Sequence, residues 1–252
     1  MPSAIHSGCA ISRNGIRRYK AFLTVSVYMG TVSSVLYYAA GVPSSQVFGP
    51  TLVRGTNPNA VALTFDDGPS ESTPAVLDVL AEHNAQATFF QLGANARRLP
   101  EMARRVAGAG HEIANHTETH PRFYLCSAAE IHREIETCQR TLGSIHGQAP
   151  RLFRPPYGAR WFGLFPALDR LGLQAVMWSL SSRDWEDSEE QVAHTVTTRM
   201  QPGDVILMHD GDTTTSGDRR RSTARALGLI LATLGGKGIR AVTVSDLFGI
   251  KA

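Results

Sequence analysis

From Ala60 onward, short apolar runs alternate with amphipathic stretches about seven times, and that alternation limits the chain to a few architectures. The apolar runs predict strands at Ala60–Phe65, Ala87–Phe90, His111–Ala114, Leu152–Arg154, Gln174–Trp178, Asp204–Met208 and Gly238–Val242. The intervening stretches predict helices at Pro74–His83, Leu99–Ala109, Ser127–Leu142, Phe162–Leu171, Glu189–Met200 and Ser222–Leu234. Their apolar residues recur every three or four positions, as in Ile131, Ile135, Cys138 and Leu142. Ser127 followed by Glu130 marks a capping-box start. Strand and helix in strict alternation imply an α/β fold whose parallel sheet is either doubly wound or closed as a barrel.

In such folds the carboxyl ends of the strands form the functional face. Polar groups able to do chemistry collect there: Asp66 and Asp67 after the first strand, His116 and His120 after the third, Arg154 and Tyr157 after the fourth, Asp184 and Trp185 after the fifth, and His209 and Asp210 after the sixth. The strand starts carry nothing comparable.

Two adjacent carboxylates repel and need a cation or a shared proton. Asp66-Asp67-Gly68-Pro69 alone reads more readily as a turn, with Asp bonding its own backbone and Gly at positive φ. His116 and His120, four residues apart, change that reading, because a tight loop at this spacing points two imidazoles at one centre. Pro121 disfavours helix at His120, so a loop is expected. Two histidines and one aspartate make an open three-ligand site, leaving the second aspartate free as a base. Imidazole donors suit zinc, cobalt and nickel.

With these residues in place, the chain is similar to the polysaccharide deacetylases, the family of the NodB homology domain (carbohydrate esterase family 4). Thr64-Phe65-Asp66-Asp67-Gly68, His116-Thr117-Glu118-Thr119-His120-Pro121, Arg154-Pro155-Pro156-Tyr157-Gly158, Asp184-Trp185 and Leu207-Met208-His209 stand in the family's order. The resemblance spans nearly all of Ala60 to Ile250. It implies a distorted (β/α) barrel of about seven parallel strands and a metal-dependent hydrolase that removes N-acetyl groups from glycans such as peptidoglycan or chitin oligomers. It assigns Asp67, His116 and His120 to a divalent metal, zinc first and cobalt or nickel as alternatives. Asp66 becomes the base, Arg154 its partner, the Tyr157 backbone an oxyanion donor, and His209 the acid. Leu207 would line the acetyl pocket and Trp185 the sugar groove.

One position departs from the pattern. Where the family carries an aspartate expected to tune the histidine, this chain has Ser181. Serine supplies no charge, so His209 either works with a lower pKa, borrows Asp184 or Asp210, or leaves activity weak. The last outcome keeps a second class of function open, a carbohydrate-binding module that has lost catalysis. A third is a hydrolase of small amides or O-acetyl esters.

The N-terminal part reads separately. Residues 1–59 hold Arg13, Arg17, Arg18, Lys20 and Arg54 and no acid, which leaves 20 basic against 22 acidic residues in the rest of the chain. The remainder is therefore mildly acidic, no glycine-rich phosphate loop appears, and neither nucleic acid nor a nucleotide cofactor is expected; Arg219-Arg220-Arg221 reads as a solvated loop run. Arg13–Lys20 followed by the uncharged stretch Ala21–Val42 reads as a membrane anchor. Ala39-Ala40-Gly41 also resembles a cleavage site, which would make it a signal peptide. Either way, residues 1–59 form a basic arm, membrane segment and linker, residues 60–250 form one catalytic domain, and the domain is exported and expected to be monomeric. Cys126 and Cys138 lie twelve apart, and spacing alone does not decide whether they pair.

Overall fold

The structure, a computed structural model, describes residues 34–211 and 221–250. Arg13–Lys20, Cys9, the greater part of the uncharged stretch and Arg219-Arg220 lie outside the described residues. Among the described residues, no helix is long and apolar enough to cross a membrane.

Among the described residues, nine strands form one sheet: β1 (Thr51–Leu52), β2 (Ala60–Asp66), β3 (Thr88–Gln91), β4 (Glu112–Asn115), β5 (Leu152–Phe153), β6 (Gln174–Val176), β7 (Leu180–Ser181), β8 (Val205–His209) and β9 (Arg240–Val242). Their order is β1-β6-β5-β4-β3-β2-β8-β7, with β9 beside the first half of β2. Every strand pairing is parallel. The sheet curls into a half-barrel, in agreement with the expected distorted barrel. The seven expected strands are all present, most of them within one or two residues of the expected bounds. The two additional strands, β1 and β7, are two-residue pieces with no room for a hydrophobic period to show. β1 lies within the stretch read as linker, and its partner is β6.

β2 organises the interior. All seven of its residues are buried, and alternation sends them to two different places. Val61, Leu63 and Phe65 join the core between sheet and outer helices, where Phe65 stacks on Phe89 with ring centroids 5.0 Å apart. Ala60 and Ala62 belong to the core inside the curl, and Thr64 and Asp66 continue that face toward the carboxyl end. Alanines near the base leave space for neighbouring strands to curve inward, and the polar residues come only at the open end. β8 repeats the pattern, with Ile206 and Met208 outward and Val205 in the inner core.

The helices are α1 (residues 34–41), α2 (Thr73–Glu82), α3 (Gly93–Arg98), α4 (Pro100–Gly108), α5 (Ala128–His146), α6 (Leu164–Leu171), α7 (Glu189–Arg199), α8 (Arg221–Gly236) and α9 (Val244–Phe248). The expected helix at Leu99–Ala109 is preceded by a separate one, α3. The two meet at Leu99, because a residue before proline is pushed out of helical geometry and Pro100 is free to begin the next helix. The capping box forms as expected: the Ser127 side chain accepts from the Glu130 backbone N–H while the Glu130 carboxylate accepts from the Ser127 N–H. The spaced residues Ile131, Ile135, Cys138 and Leu142 are the buried face of α5. Cys126 and Cys138 are free thiols.

Candidate active site

Parallel pairing places the two proposed proton carriers side by side. Asp66 and His209 are register partners on β2 and β8, both at the carboxyl end. Neighbouring strands lie about 4.8 Å apart, so one cleft can be bordered by both residues without any contribution from a long loop.

The chain then turns sharply. Asp67 has a left-handed backbone (φ 72°), which swings its carboxylate out of the strand toward the histidines. Thr117 (φ 72°), His120 (φ 62°), Tyr157 (φ 57°) and Arg183 (φ 59°) share that strained geometry, and all lie in the loops that form or flank the cleft. Such residues cost about 1–3 kcal/mol each and persist only where the surroundings over-determine them. Here the restraints are visible. Asn95 Nδ2 donates to the Asp67 carbonyl at 2.7 Å, and Gly211 packs so close to that carbonyl that a Cβ would overlap it. The His116–His120 segment is a loop, as Pro121 predicted, with the His120 N–H donating to Thr117 Oγ1 at 3.1 Å.

Asp67, His116 and His120 converge, each offering a ligand atom within 4.8 Å of the others. Asp67 Oδ1 stands 3.4 Å from Nε2 of both histidines, and it is buried with no hydrogen bond to accept. His116 Nδ1 lies 2.8 Å from the Arg154 carbonyl, which fixes that nitrogen as the donor and leaves Nε2 with its lone pair facing Asp67. Burial opposes ionisation of Asp67, yet the pull of His116, with His120 and His209 behind it, holds its carboxyl well below the usual range. Burial and the neighbouring His116 push His120 down to about 4, so its ring is neutral at pH 7. An ionised carboxylate and two imidazole nitrogens around an orphaned buried oxygen fit a divalent cation.

Asp66 is held differently. Arg154 is completely buried, and its Nη1 donates to Asp66 Oδ1 at 2.7 Å and to Thr64 Oγ1 at 2.8 Å. Its remaining donors go to the carbonyls of Met177 (3.0 Å) and Val176 (3.3 Å), and its guanidinium lies 4.0 Å from the Phe90 ring centre. Burial lowers the Arg154 pKa and Asp66 opposes that shift, so the two charges support one another in the interior. Asp66 Oδ2 is left facing the metal-type cluster, 3.7 Å from His116 Nε2.

Across the cleft, His209 Nδ1 lies 2.8 Å from Asp184 Oδ1. The other Asp184 oxygen accepts from the His209 N–H and from Thr223 Oγ1, both at 2.8 Å. Burial works to lower the His209 pKa, but the Asp184 charge and hydrogen bond raise it to about 9, aided by Asp67 and Asp66. Ser181 therefore does not leave His209 without an acid. Position 181 pairs with Leu207 in the sheet, two residues short of the histidine, and its Oγ makes no hydrogen bond. Asp184 reaches the ring instead, from the loop after β7 rather than directly after β6. Asp210 turns away: its Oδ2 accepts from Thr73 Oγ1 at 2.6 Å, and burial raises its pKa to about 7.

The cleft holds about 440 Å³ and is lined by Asp66, Asp67, His116, His120, Tyr157, Trp185, Leu207 and His209, together with Gly158 and Trp178. Arg154 stands behind the lining, at the back of Asp66, as Asp184 stands behind His209. Trp185 is substantially exposed and meets the His209 ring edge-on at 5.3 Å, so it is a wall of the cleft and not core. The Tyr157 ring lies 4.5 Å from that of His120, with Arg122 above it. The other histidines lie elsewhere; His111 is buried against Phe89. Sequence reasoning gave no role to Asn95, Thr64 or Thr223 and left Asp184 as one of two substitutes. Their types are ordinary, and only the fold shows what they face.

Comparison with known proteins agrees with this geometry. The profile of the polysaccharide deacetylase family matches residues 54–176. A chitooligosaccharide deacetylase of Bradyrhizobium sp. (strain ANU 289) is 40% identical over 195 residues, covering 74% of this chain and 88% of the relative. A peptidoglycan-N-acetylglucosamine deacetylase of Bacillus cereus is 38% identical over 194 residues, covering 76% of this chain and 69% of the relative. Among solved structures, a peptidoglycan N-acetylglucosamine deacetylase superposes with a TM-score of 0.75 at 35% identity, covering 80% of this chain and 94% of that one. With the sheet, the cleft and the similarity in agreement, the chain belongs to the polysaccharide deacetylase family.

Proposed function

We propose that this protein is a metal-dependent hydrolase that removes the N-acetyl group from N-acetylglucosamine units of peptidoglycan or chitin-like oligomers. The observation that carries the reading is the in-register pair of Asp66 and His209 flanking the Asp67–His116–His120 cluster in one cleft. The chemistry needs a base and an acid within reach of one amide group, and this arrangement supplies both.

Asp67, His116 and His120 would hold a divalent ion, with zinc preferred and cobalt or nickel as alternatives. When bound, such an ion supplies Lewis acidity to the acetamide carbonyl and lowers the pKa of water. Asp66 takes a proton from the attacking water. Arg154 pairs with Asp66 and fixes which of its oxygens faces the cleft. The water oxygen bonds to the acetyl carbon, the carbon–nitrogen bond breaks, and His209 gives its proton to the departing sugar amine. The products are acetate and a free amine. A histidine with a pKa near 9 is charged at neutral pH and ready to donate. The Tyr157 N–H is assigned to the carbonyl oxygen as negative charge develops. Leu207 forms the apolar floor for the acetyl methyl, and Trp185 offers its face to a pyranose ring.

The basic Arg13–Lys20 stretch and the uncharged residues after it support an extracytoplasmic domain, where those glycans occur. The domain is proposed to act as a monomer. Acetate release after chelation and metal add-back, over peptidoglycan, chitin oligomers, xylan and acetyl esters, tests the reading. Metal-dependent release from N-acetylglucosamine polymers is expected, and release from none of the panel would sink it.

A further inference from the structure

Arg160 is, with Arg154, one of the two largest completely buried side chains, yet it lies far from the chemistry in role. No carboxylate pairs with it among the described residues. Its guanidinium donates to main-chain carbonyls at the end of α1: Nη2 to Ala39 (3.3 Å) and Val42 (2.5 Å), and Nη1 to Pro43 (3.2 Å). Its own N–H donates to the Ala40 carbonyl at 3.0 Å. Ser45 Oγ adds a further bond to the Ala39 carbonyl. The last carbonyls of a helix are unsatisfied and carry its negative end, so a buried cation is matched here by a helix terminus. Ala39 is itself 3% exposed. The residues that resemble a cleavage site are thus ligands of a buried arginine.

A cut at Ala39–Gly41 would take the Ala39 and Ala40 carbonyls away from Arg160 and leave it only those of Val42 and Pro43. It would also create a new ammonium beside a guanidinium already destabilised by burial, which lowers its pKa. The segment around the lock is apolar and exposed. Val35, Tyr37, Tyr38, Val47 and Phe162 are each more than half exposed. Phe162 packs edge-on against Phe48 at 5.1 Å and beside Trp161. No charged residue occurs from Ala21 to Val53. Exposed aromatics beside a long uncharged stretch are the composition of a membrane–water boundary.

We propose that residues 34–48 are a permanent, docked part of the catalytic domain, locked by Arg160, which stays uncut at Ala39–Gly41 and seats the domain on the lipid bilayer. This rests on the extracytoplasmic reading and is independent of whether catalysis is retained.

The test uses the full chain produced in a bacterium and reconstituted into phosphatidylglycerol–phosphatidylcholine vesicles with brominated acyl chains. Mass spectrometry of the terminal peptide is expected to place the N-terminus before residue 34, in the membrane fraction. Bromine should quench tryptophan emission, and Trp161→Phe should abolish most of that quenching, since Trp161 is one of three tryptophans and lies in the patch. Arg160→Met should make the 39–45 segment about tenfold more sensitive to added protease while acetate release persists. An N-terminus between residues 40 and 43 in a folded protein would overturn the proposal. So would an intact chain whose emission bromine does not quench. Acetate release on the same sample keeps the two readings apart: its absence from an anchored, quenched protein refutes the deacetylase and not the seat.

Discussion

Replacing Asp184 with asparagine removes a charge from the proposed acid while leaving an oxygen able to accept from His209 Nδ1, so its effect should appear in pH dependence more than in geometry. In the native protein the Asp184 charge and hydrogen bond, at 2.8 Å, overcome burial and hold His209 near 9. Without that charge, burial pulls downward, and the ordinary value of 6.5 is a conservative destination. At pH 8 the protonated fraction falls from about nine-tenths to about one-thirtieth, a loss of about 30-fold in kcat/KM. At pH 5.5 both proteins are protonated and should differ by less than about threefold. A cation on Asp67 lowers His209 alike in both proteins, which moves both basic limbs, and the pH at which these losses are read, to lower pH while keeping their separation of about 2.5 units. Stability follows the same sign. The folded pKa lies above the unfolded one, so the pair stabilises fully below pH 6.5 and loses its contribution as pH rises through about 9. Its magnitude is at most about 3 kcal/mol. The assay is acetate release from a chitin oligomer across pH 5 to 10, with saturating metal. A basic limb that stays within about 0.5 unit of the native one would refute the coupling.

The other substitutions act on separate parts of the site. Ser181→Asp should shift the basic limb by less than about 0.5 unit, because Asp184 already occupies the histidine; a larger shift in the same pH series would restore the tuning role expected for position 181. Arg154→Met leaves Asp66 buried without its cation, and should cost about 3–5 kcal/mol in denaturant unfolding together with nearly all activity at pH 7. Gly211→Ala forces a Cβ against the Asp67 carbonyl, so metal affinity by calorimetric titration should weaken at least about tenfold, whereas an unchanged affinity would show that the Asp67 turn tolerates movement.

Much of this was legible in the chain because the signals were long or repeated. β2 announces itself by a six-residue apolar run, α5 by Ile131, Ile135, Cys138 and Leu142 and a capping box, and the cleft by motifs that follow successive strands. What escaped had no periodic signal. β1 and β7 are two residues each and are defined by their pairing partners. The break at Leu99 was marked by Pro100, but the turn of helix before it, Gly93–Arg98, is too short and too mixed in composition to show an apolar face. The sequence leaves Asp184 and Asp210 as alternative partners of His209, and how the chain leaves β7, with Arg183 at φ 59°, decides for Asp184. Left-handed backbone at Asp67, Thr117, His120 and Tyr157 is a tertiary property, enforced by contacts such as Asn95 and Gly211 that come from distant segments. The bond from Arg160 to the Ala39 carbonyl had no local signal for the same reason: the two residues lie 121 apart in the chain.

The central claim is that the two adjacent carboxylates have separate tasks, Asp67 for the metal and Asp66 for the proton. Metal content and acetate release measured together on Asp66→Asn and Asp67→Asn test it most directly. Asp66→Asn should keep a full equivalent of metal after dialysis and lose activity by about 100-fold or more, while Asp67→Asn should lose the metal itself. An Asp66→Asn protein that sheds its metal, or one that still releases acetate at the native rate, would contradict the division.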